Sequence, residues 1–186
     1  MAKTFDSIDP ALRGFIQAQK LFFVATSPLS EDGHINLSPK GLDGTLAVLD
    51  DRTIAYLDLT GSGVETIAHL RENGRICMMF CAFEGDPLIL RVYGQAQVIH
   101  PRDADWNGMI GDFPEMAGSR QIFDVTVEAV QTSCGSGVPV MGFERDRVPD
   151  DLLPFYEKMG PEGVRDYWKR KNTETIDGFD TALFDD

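Results

Sequence analysis

The sequence has few cysteines, few basic residues and no long apolar run, and each of these absences excludes a class of protein. It has three cysteines, and Cys77 and Cys81 lie in one apolar run, which favours reduced, buried thiols over a disulfide framework. Lysine and arginine total 17 against 30 aspartates and glutamates, and the net charge of -13 repels nucleic acid and anionic membrane surfaces. No apolar run approaches the roughly 18 residues of a membrane span, and the N-terminus MAKTFDSIDP is acidic where a signal peptide is apolar. We therefore expect a cytoplasmic protein that binds neither nucleic acid nor membranes.

Histidine is equally scarce, and the sequence predicts no metal site. His69 has no second His or Cys at metal-ligand spacing, so we expect it to be a surface or interface residue. Cys134 lies in the small-residue loop TSCGSGVP, where the sequence identifies neither a base nor a charge that would activate it. We expect its thiol to be packed in a tight turn.

What remains is the composition of a globular protein with a substantial core. The chain has 186 residues, of which 42% are hydrophobic and 25% are charged. We predict a main domain over residues 1–148. Residues 149–186 are expected to form C-terminal helices and a tail that pack on that domain or on a partner subunit.

The main domain has mostly strand patterns. A helix is predicted to begin at Asp9-Pro10, because proline suits the first helical position. Apolar or alternating runs separated by turn residues predict strands over 21–26, 35–39, 45–49, 53–58, 75–83, 88–99 and 121–131. Further helices are predicted over 64–73, 101–110, 150–159 and 161–171.

The turn from Leu59 to Gly63, between a predicted strand and a predicted helix, is a candidate ligand site. A helix N-terminus has unpaired N–H groups and partial positive charge, so a glycine-containing turn before it suits an anion such as a phosphate. Alternatively, Ser62 and Glu65 have the spacing of a capping box, which would satisfy the same N–H groups within the chain. The residues leave both interpretations open.

Two strands carry polar side chains that point to binding. Asn36, Ser38 and Lys40 alternate along an extended segment, so one face offers an amide, a hydroxyl and an ammonium group, unless the segment is simply a solvated sheet edge. Arg91 interrupts an apolar strand. Because a buried guanidinium must be paired, it either meets an acidic residue such as Asp58 or binds an anionic ligand.

Trp168 lies in a basic segment of an otherwise acidic chain. Its neighbours include Arg165, Lys169, Arg170 and Lys171. This segment either stacks on and pairs with a ligand or complements the C-terminus of its own helix.

Several motifs together resemble a known family. They are FFVATS, a hairpin ending in NLSPKG, the turn AYLDLTGS-x-x-E, and the strand pair RICMMF and LILRVYG, over roughly residues 15–135. Their order resembles the pyridoxamine 5'-phosphate oxidase-like family of FMN-binding split β-barrels. The later TSCGSGVP and KNTETIDG segments look like an uncharacterised subgroup rather than the oxidase itself. The resemblance implies a mainly β fold with peripheral helices and a homodimer that binds FMN in a cleft between its subunits.

The resemblance also implies which residues bind the cofactor. The strand with Asn36 runs along the flavin, and the segment from Tyr56 to Ser62 forms a second wall. After the serine of the turn, the oxidase has an Arg-Lys pair on the phosphate where this chain has Gly63-Val64, so Lys40 or Arg91 is expected to supply the charge. The implied FMN-binding residues are Asn36, Ser38, Lys40, Tyr56, Asp58, Thr60, Gly61, Ser62, Arg91 and Trp168.

These features lead to a functional prediction and two alternatives. We predict an FMN-dependent oxidoreductase acting on an unknown small molecule, in which the flavin does the hydride chemistry and no catalytic side chain is assigned. The oxidase's arginine-rich C-terminal signature is not recognisable in TALFDD, which argues against pyridoxamine phosphate as substrate. One alternative is a non-catalytic flavin- or haem-binding carrier or sensor on the same fold, and another is a dimer with a purely interaction role. FMN is favoured over deazaflavin and haem.

Overall fold

In a computed structural model, which describes residues 2–184, eight strands form one antiparallel sheet. The strands are β1 Lys3–Phe5, β2 Leu21–Thr26, β3 Asn36–Gly41, β4 Leu46–Val48, β5 Thr53–Leu59, β6 Arg75–Cys81, β7 Ile89–Ile99 and β8 Ser119–Ser133. Their order in the sheet is β3-β2-β6-β7-β8-β5-β4, and β1 also pairs with β8. The predicted strands are therefore confirmed with shifted ends, and the last is longer than predicted because it pairs with three other strands.

The helices of the described residues are α1 Pro10–Ala18, α2 Glu65–Asn73, α3 Trp106–Met109 and α4 Leu153–Lys171. The predicted start of α1 is confirmed, because the Asp9 carboxylate accepts from the Leu12 N–H at 2.8 Å. The helix predicted over 101–110 is limited to α3 and one 3-10 turn after it. Gly160 takes a positive φ of 68° inside α4, so the two predicted C-terminal helices are the two segments on either side of this bend.

The sheet curls until strands near its two edges face each other. Lys40 on edge strand β3 contacts Asp58 on β5, beside the other edge, with an Nζ–Oδ1 distance of 2.6 Å. The space enclosed by the curl is filled by aromatic side chains. The ring of Tyr56 lies 5.7 Å from that of Phe22 and 4.8 Å from that of Phe123, centroid to centroid. The architecture is a mainly β half-barrel with peripheral helices, as predicted.

Helix α2 lies across the barrel and closes one end of the core. Its residues Ile67 and Leu70 are buried in the hydrophobic core. Gly74 ends the helix in the left-handed region, with φ 69°. His69 on the same helix is fully buried, and its Nδ1 lies 3.0 Å from the Thr26 hydroxyl. The prediction of a surface histidine was therefore wrong, because α2 packs against β2, β6 and β7 and buries more than its apolar stripe.

All three cysteines are free thiols. Cys81 is buried and Cys77 half-buried, but Cys134 is exposed, so its predicted packing was wrong. Hydrogen bonds from Ser136 lower the pKa of the Cys134 thiol.

The C-terminal segment packs on the barrel of its own chain. The Tyr156 hydroxyl donates to the Thr60 carbonyl, and the Trp168 Nε1–H donates to the Thr60 hydroxyl at 2.8 Å. Asn172 adds a bond from its amide to the Gly61 carbonyl at 2.8 Å. The turn after β5 is thus held from outside by α4. Across residues 2–184, none of the helices has the length and apolarity needed to traverse a bilayer.

Candidate functional site

A polar cavity of about 200 Å³ opens where β3 meets the turn after β5. We call it the turn cleft. Its principal lining residues are Lys40, Asp58, Gly61, Glu65, Arg120 and Gln121. Residues distant in sequence meet here because the sheet curls: β3 brings one wall, the first turn of α2 a second, and the start of β8 the floor.

Asp58 is the centre of the polar network. Its buried carboxylate binds the Lys40 ammonium at 2.6 Å, the Arg120 guanidinium at 2.7 Å and the Gln121 amide at 2.9 Å. Burial alone would raise the pKa of Asp58, but the positive charges and hydrogen bonds of Lys40 and Arg120 outweigh it and lower the pKa. Asp58 is therefore a charged organiser of the site rather than a proton donor.

Arg120 supports the turn from below. Its guanidinium donates to the carbonyls of Gly61 at 3.2 Å and Gly63 at 2.9 Å, and to the Asn172 side chain at 2.9 Å, in addition to Asp58. Every donor group of this side chain is engaged. Sequence reasoning missed Arg120 because it follows a loop with little pattern, although a charge directly before an apolar strand was a signal.

The Val64 N–H, at the N-cap of α2, is satisfied by the chain itself. Glu65 accepts from the Val64 N–H at 3.0 Å, and its other oxygen accepts from the Ile176 N–H at 3.4 Å. Ser62 is exposed and no side chain caps the helix in the predicted Ser62–Glu65 arrangement, so the capping box was wrong. The helix starts at Glu65, one residue later than predicted, which moves the Glu65 carboxylate onto the adjacent amide.

One buried polar atom at the turn cleft has no partner among residues 2–184. Gln121 is fully buried, and its amide nitrogen donates to Asp58, which fixes the orientation of the side-chain amide. The Gln121 Oε1 atom then accepts no hydrogen bond. An unpartnered buried acceptor costs about 1–3 kcal/mol, so a ligand donor placed there is stabilising.

The polar row on β3 lies on one face of the strand, as the alternation predicted, and this face is less exposed than the opposite one. Asn36, Ser38 and Lys40 are half-buried, whereas the residues between them are exposed. Asn36 donates to the Thr66 hydroxyl at 2.9 Å and accepts from Ser38 at 3.1 Å. Ser38 and Lys40 line the turn cleft directly, and Asn36 joins them to α2.

The other predicted residues lie outside the cleft lining. Tyr56 is 1% exposed and packs in the aromatic core, where its hydroxyl has no partner among the described residues. Thr60 is buried and donates to the Gly118 carbonyl at 2.7 Å. Ser62 is exposed at the rim, and Trp168 approaches the turn from the side opposite the cleft, through Thr60.

Arg91 is not the partner of Asp58. It lies on β7 between Met79 and Gln131, and its guanidinium donates to the Ser133 hydroxyl at 3.3 Å. Arg120 occupies the position expected for Arg91, because β8 and not β7 is the neighbour of β5. The predicted Arg91–Asp58 pair was therefore wrong.

No metal site is found within residues 2–184, since no three His, Cys, Asp or Glu side chains are grouped to hold an ion. None of the three histidines lines the turn cleft. His69 and His100 are buried elsewhere, and the His34 ring lies 2.5 Å from the Asp177 carboxylate.

The curled sheet, with a cleft beside its strand-to-helix turn, defines a split β-barrel protein. Residues 8–134 match the model of the pyridoxamine 5'-phosphate oxidase family, and the chain belongs to that family. It is 39% identical over 155 residues to the pyridoxamine 5'-phosphate oxidase family protein ustO of Aspergillus flavus. That match spans 82% of this chain but only 62% of ustO.

The fold also matches a solved structure. The chain is similar to HupZ of Group A Streptococcus, with a TM-score of 0.53 and 23% identity over 72% of this chain and 99% of that one. At this identity the likeness concerns the fold alone. The split-barrel architecture itself was implied by the family resemblance, and the curled antiparallel sheet agrees with it.

Proposed function

We propose that the protein binds FMN and is an oxidoreductase of the pyridoxamine 5'-phosphate oxidase type, acting on a small molecule. Family membership and the turn cleft support this proposal together. The single observation that carries it is the unpartnered Gln121 Oε1, buried in a cleft that Lys40 also lines, because a hydroxyl-bearing anion can satisfy both groups.

The cleft fits the chain-like part of FMN. Its volume of about 200 Å³ is below the roughly 300–1,000 Å³ of sites that enclose whole ligands, so it suits the ribityl phosphate rather than the ring system. We propose that the ring lies outside it, against a second copy of the chain in a homodimer. FMN, when bound, supplies the hydride transfer.

The side chains of the cleft would divide the binding work. Lys40 has 26% of its side chain exposed and would pair with the phosphate. Gln121 Oε1 would accept from a ribityl hydroxyl, and Ser38 and Asn36 would exchange hydrogen bonds with the next hydroxyls. Asp58 would hold Lys40 in place. Arg91, Tyr56 and Trp168 are outside this set within one chain.

A titration tests the proposal. FMN fluorescence is followed while wild-type protein is added, beside Lys40→Ala and the control Lys20→Ala, whose ammonium pairs with Asp43 on an exposed surface. We expect wild type and Lys20→Ala to bind FMN alike. Lys40→Ala should bind about tenfold or more weakly, because a charged hydrogen bond contributes about 1.5–3 kcal/mol. Wild-type protein that neither quenches FMN nor gains thermal stability from it would refute the proposal.

A non-catalytic flavin carrier is the second candidate. It is favoured by the chemistry of the cleft: Asp58 has a lowered pKa, and none of the described lining residues is a histidine, cysteine or tyrosine suited to proton transfer. The lining also offers no methionine, so the usual axial ligands of haem are missing and flavin is the better-supported cargo. Reduction of the FMN-loaded protein by NADH or NADPH, followed at the flavin absorbance, supports the enzyme; no reduction supports the carrier.

A further inference from the structure

A second cavity, of about 250 Å³, shares the Arg120 side chain with the turn cleft but none of its other lining residues. We call it the arginine cavity. The side chains important to it are His100, Arg102, Arg120, Arg165, Trp168 and Phe184. None of the described residues that line it is acidic, although the chain as a whole has a net charge of -13. Three guanidinium groups around one concave space focus a positive potential there.

Arg120 is neutralised by Asp58, but Arg102 and Arg165, the other two cations of this cavity, have no carboxylate partner within 3.5 Å among the described residues. Arg165 makes no ion pair within residues 2–184 and lies over the Phe184 ring at 5.6 Å. Arg102 donates to the carbonyls of Ala182 and Leu183, and among the described residues its one carboxylate contact is Asp103 at 4.0 Å. Arg102 and Arg165 therefore keep guanidinium donors for a ligand, whereas the donors of Arg120 are engaged and its charge is paired with Asp58.

A buried polar atom points to a ligand independently of the charges. His100 is 4% exposed and lines the cavity, and its Nδ1 atom has no hydrogen-bond partner among the described residues. Burial, followed by the charge of Arg102, lowers the pKa of His100 to about 4, so the ring is neutral near pH 7. A neutral ring with its proton on Nδ1 can donate to an anion without adding a further charge.

The cavity walls also indicate which apolar group the bound anion carries. Trp168 and Phe184 contribute flat apolar surface beside the guanidinium groups. A cavity of about 150 Å³ holds benzene, so about 250 Å³ has room for one such ring with a charged substituent.

We propose that the arginine cavity is a second ligand site, distinct from the turn cleft, for a small organic anion with a carboxylate or phosphate group on a flat apolar body. Arg102 and Arg165 bind the anionic group, His100 Nδ1 donates to it, and Trp168 contacts the body. This site does not depend on FMN binding, so either proposal can fail alone.

Calorimetric titration with phenyl phosphate and benzoate tests the proposal, with benzyl alcohol as the uncharged probe. We expect both anions to bind wild-type protein and benzyl alcohol to bind at least tenfold more weakly. Arg165→Gln should weaken phenyl phosphate about tenfold. Arg170→Gln, which removes the same charge from the same helix but outside the cavity, should change it by less than twofold. Equal binding of benzyl alcohol, or equal effects of the two substitutions, would overturn the proposal.

A further variant locates the bound anion. Lys40→Ala removes a side chain that lines the turn cleft but not the arginine cavity, so it should leave phenyl phosphate affinity unchanged. A loss equal to that of Arg165→Gln would place the anion in the cleft and overturn the proposal.

Discussion

The turn cleft and the arginine cavity share one side chain, Arg120, yet differ in how their charges are balanced. In the turn cleft, Lys40 and Arg120 both bind Asp58, and Glu65 adds a second carboxylate at the start of α2. In the arginine cavity no described lining residue is acidic. The number of cations is therefore a poor guide to an anion site; what matters is how many carboxylates already occupy them. The balanced site suits a hydroxyl-bearing ligand with one charged end, and the unbalanced site suits a simple anion.

The largest expected effect is loss of the Asp58 carboxylate. Asp58→Asn leaves the buried Arg120 guanidinium without its counter-charge, and breaking such a pair from one side costs about 3–5 kcal/mol. The free energy of unfolding in urea should fall by about that amount. Asp43→Asn, which breaks an exposed pair with Lys20, should cost less than about 1 kcal/mol. Equal losses in the two variants would show that Asp58 is not the organiser of the cleft.

The pH dependence of stability probes the arginine cavity. Folding lowers the pKa of His100 from 6.5 to about 4. Between pH 4 and pH 6.5, the unfolded chain therefore binds a proton at this residue that the folded protein does not bind. Stability should therefore fall as the pH drops from 6.5 to about 4, by up to about 3 kcal/mol from this residue. His100→Gln should flatten the unfolding free energy across this window.

His34 provides the contrast for that measurement. The hydrogen bond with Asp177 raises the pKa of His34. The stabilisation that this residue contributes is therefore complete below pH 6.5, its ordinary pKa, and is lost as the pH rises through the raised pKa. His34→Gln should change the pH profile in the opposite sense. Profiles that respond identically to the two substitutions would contradict the assignment of a neutral His100.

A smaller effect is expected from Glu65. Its carboxylate occupies the Val64 N–H, the group that a phosphate at the α2 N-terminus would use. Glu65→Gln removes the negative charge and should strengthen FMN binding by a factor of about 2 to 5, in line with the roughly 0.3–1 kcal/mol of such charge–helix interactions. The control Glu31→Gln, which removes the same charge at an exposed position, should leave FMN affinity unchanged. Weaker FMN binding by Glu65→Gln would show that the carboxylate orders the site rather than competing with the ligand.

Sequence patterns predicted the strands and one wall of the cleft, because both depend on local spacing. Asn36, Ser38 and Lys40 alternate along β3, and this alternation alone placed them on one face of the strand, while the structure shows that this face is the half-buried one. The order of strands in the sheet is not local. The pattern therefore could not choose between Arg91 and Arg120 as the partner of Asp58, which is 62 positions from Arg120.

The remaining errors came from details of register and packing. The Ser62–Glu65 capping box failed because α2 begins one residue later than the pattern indicated, and helix ends are uncertain by one or two residues. Gln121 was missed because its unpartnered oxygen exists only once β8 pairs with β5. The arginine cavity combines residues from the turn after β7, from β8, from α4 and from the tail, and no spacing along the chain relates them.

The most direct test compares both ligands on both variants. FMN and phenyl phosphate are each titrated against wild type, Lys40→Ala and Arg165→Gln. The two-site account predicts that Lys40→Ala weakens FMN about tenfold or more with phenyl phosphate unchanged, and that Arg165→Gln weakens phenyl phosphate about tenfold with FMN unchanged. If each substitution weakened both ligands equally, the cleft and the cavity would be one site, and the account would be contradicted.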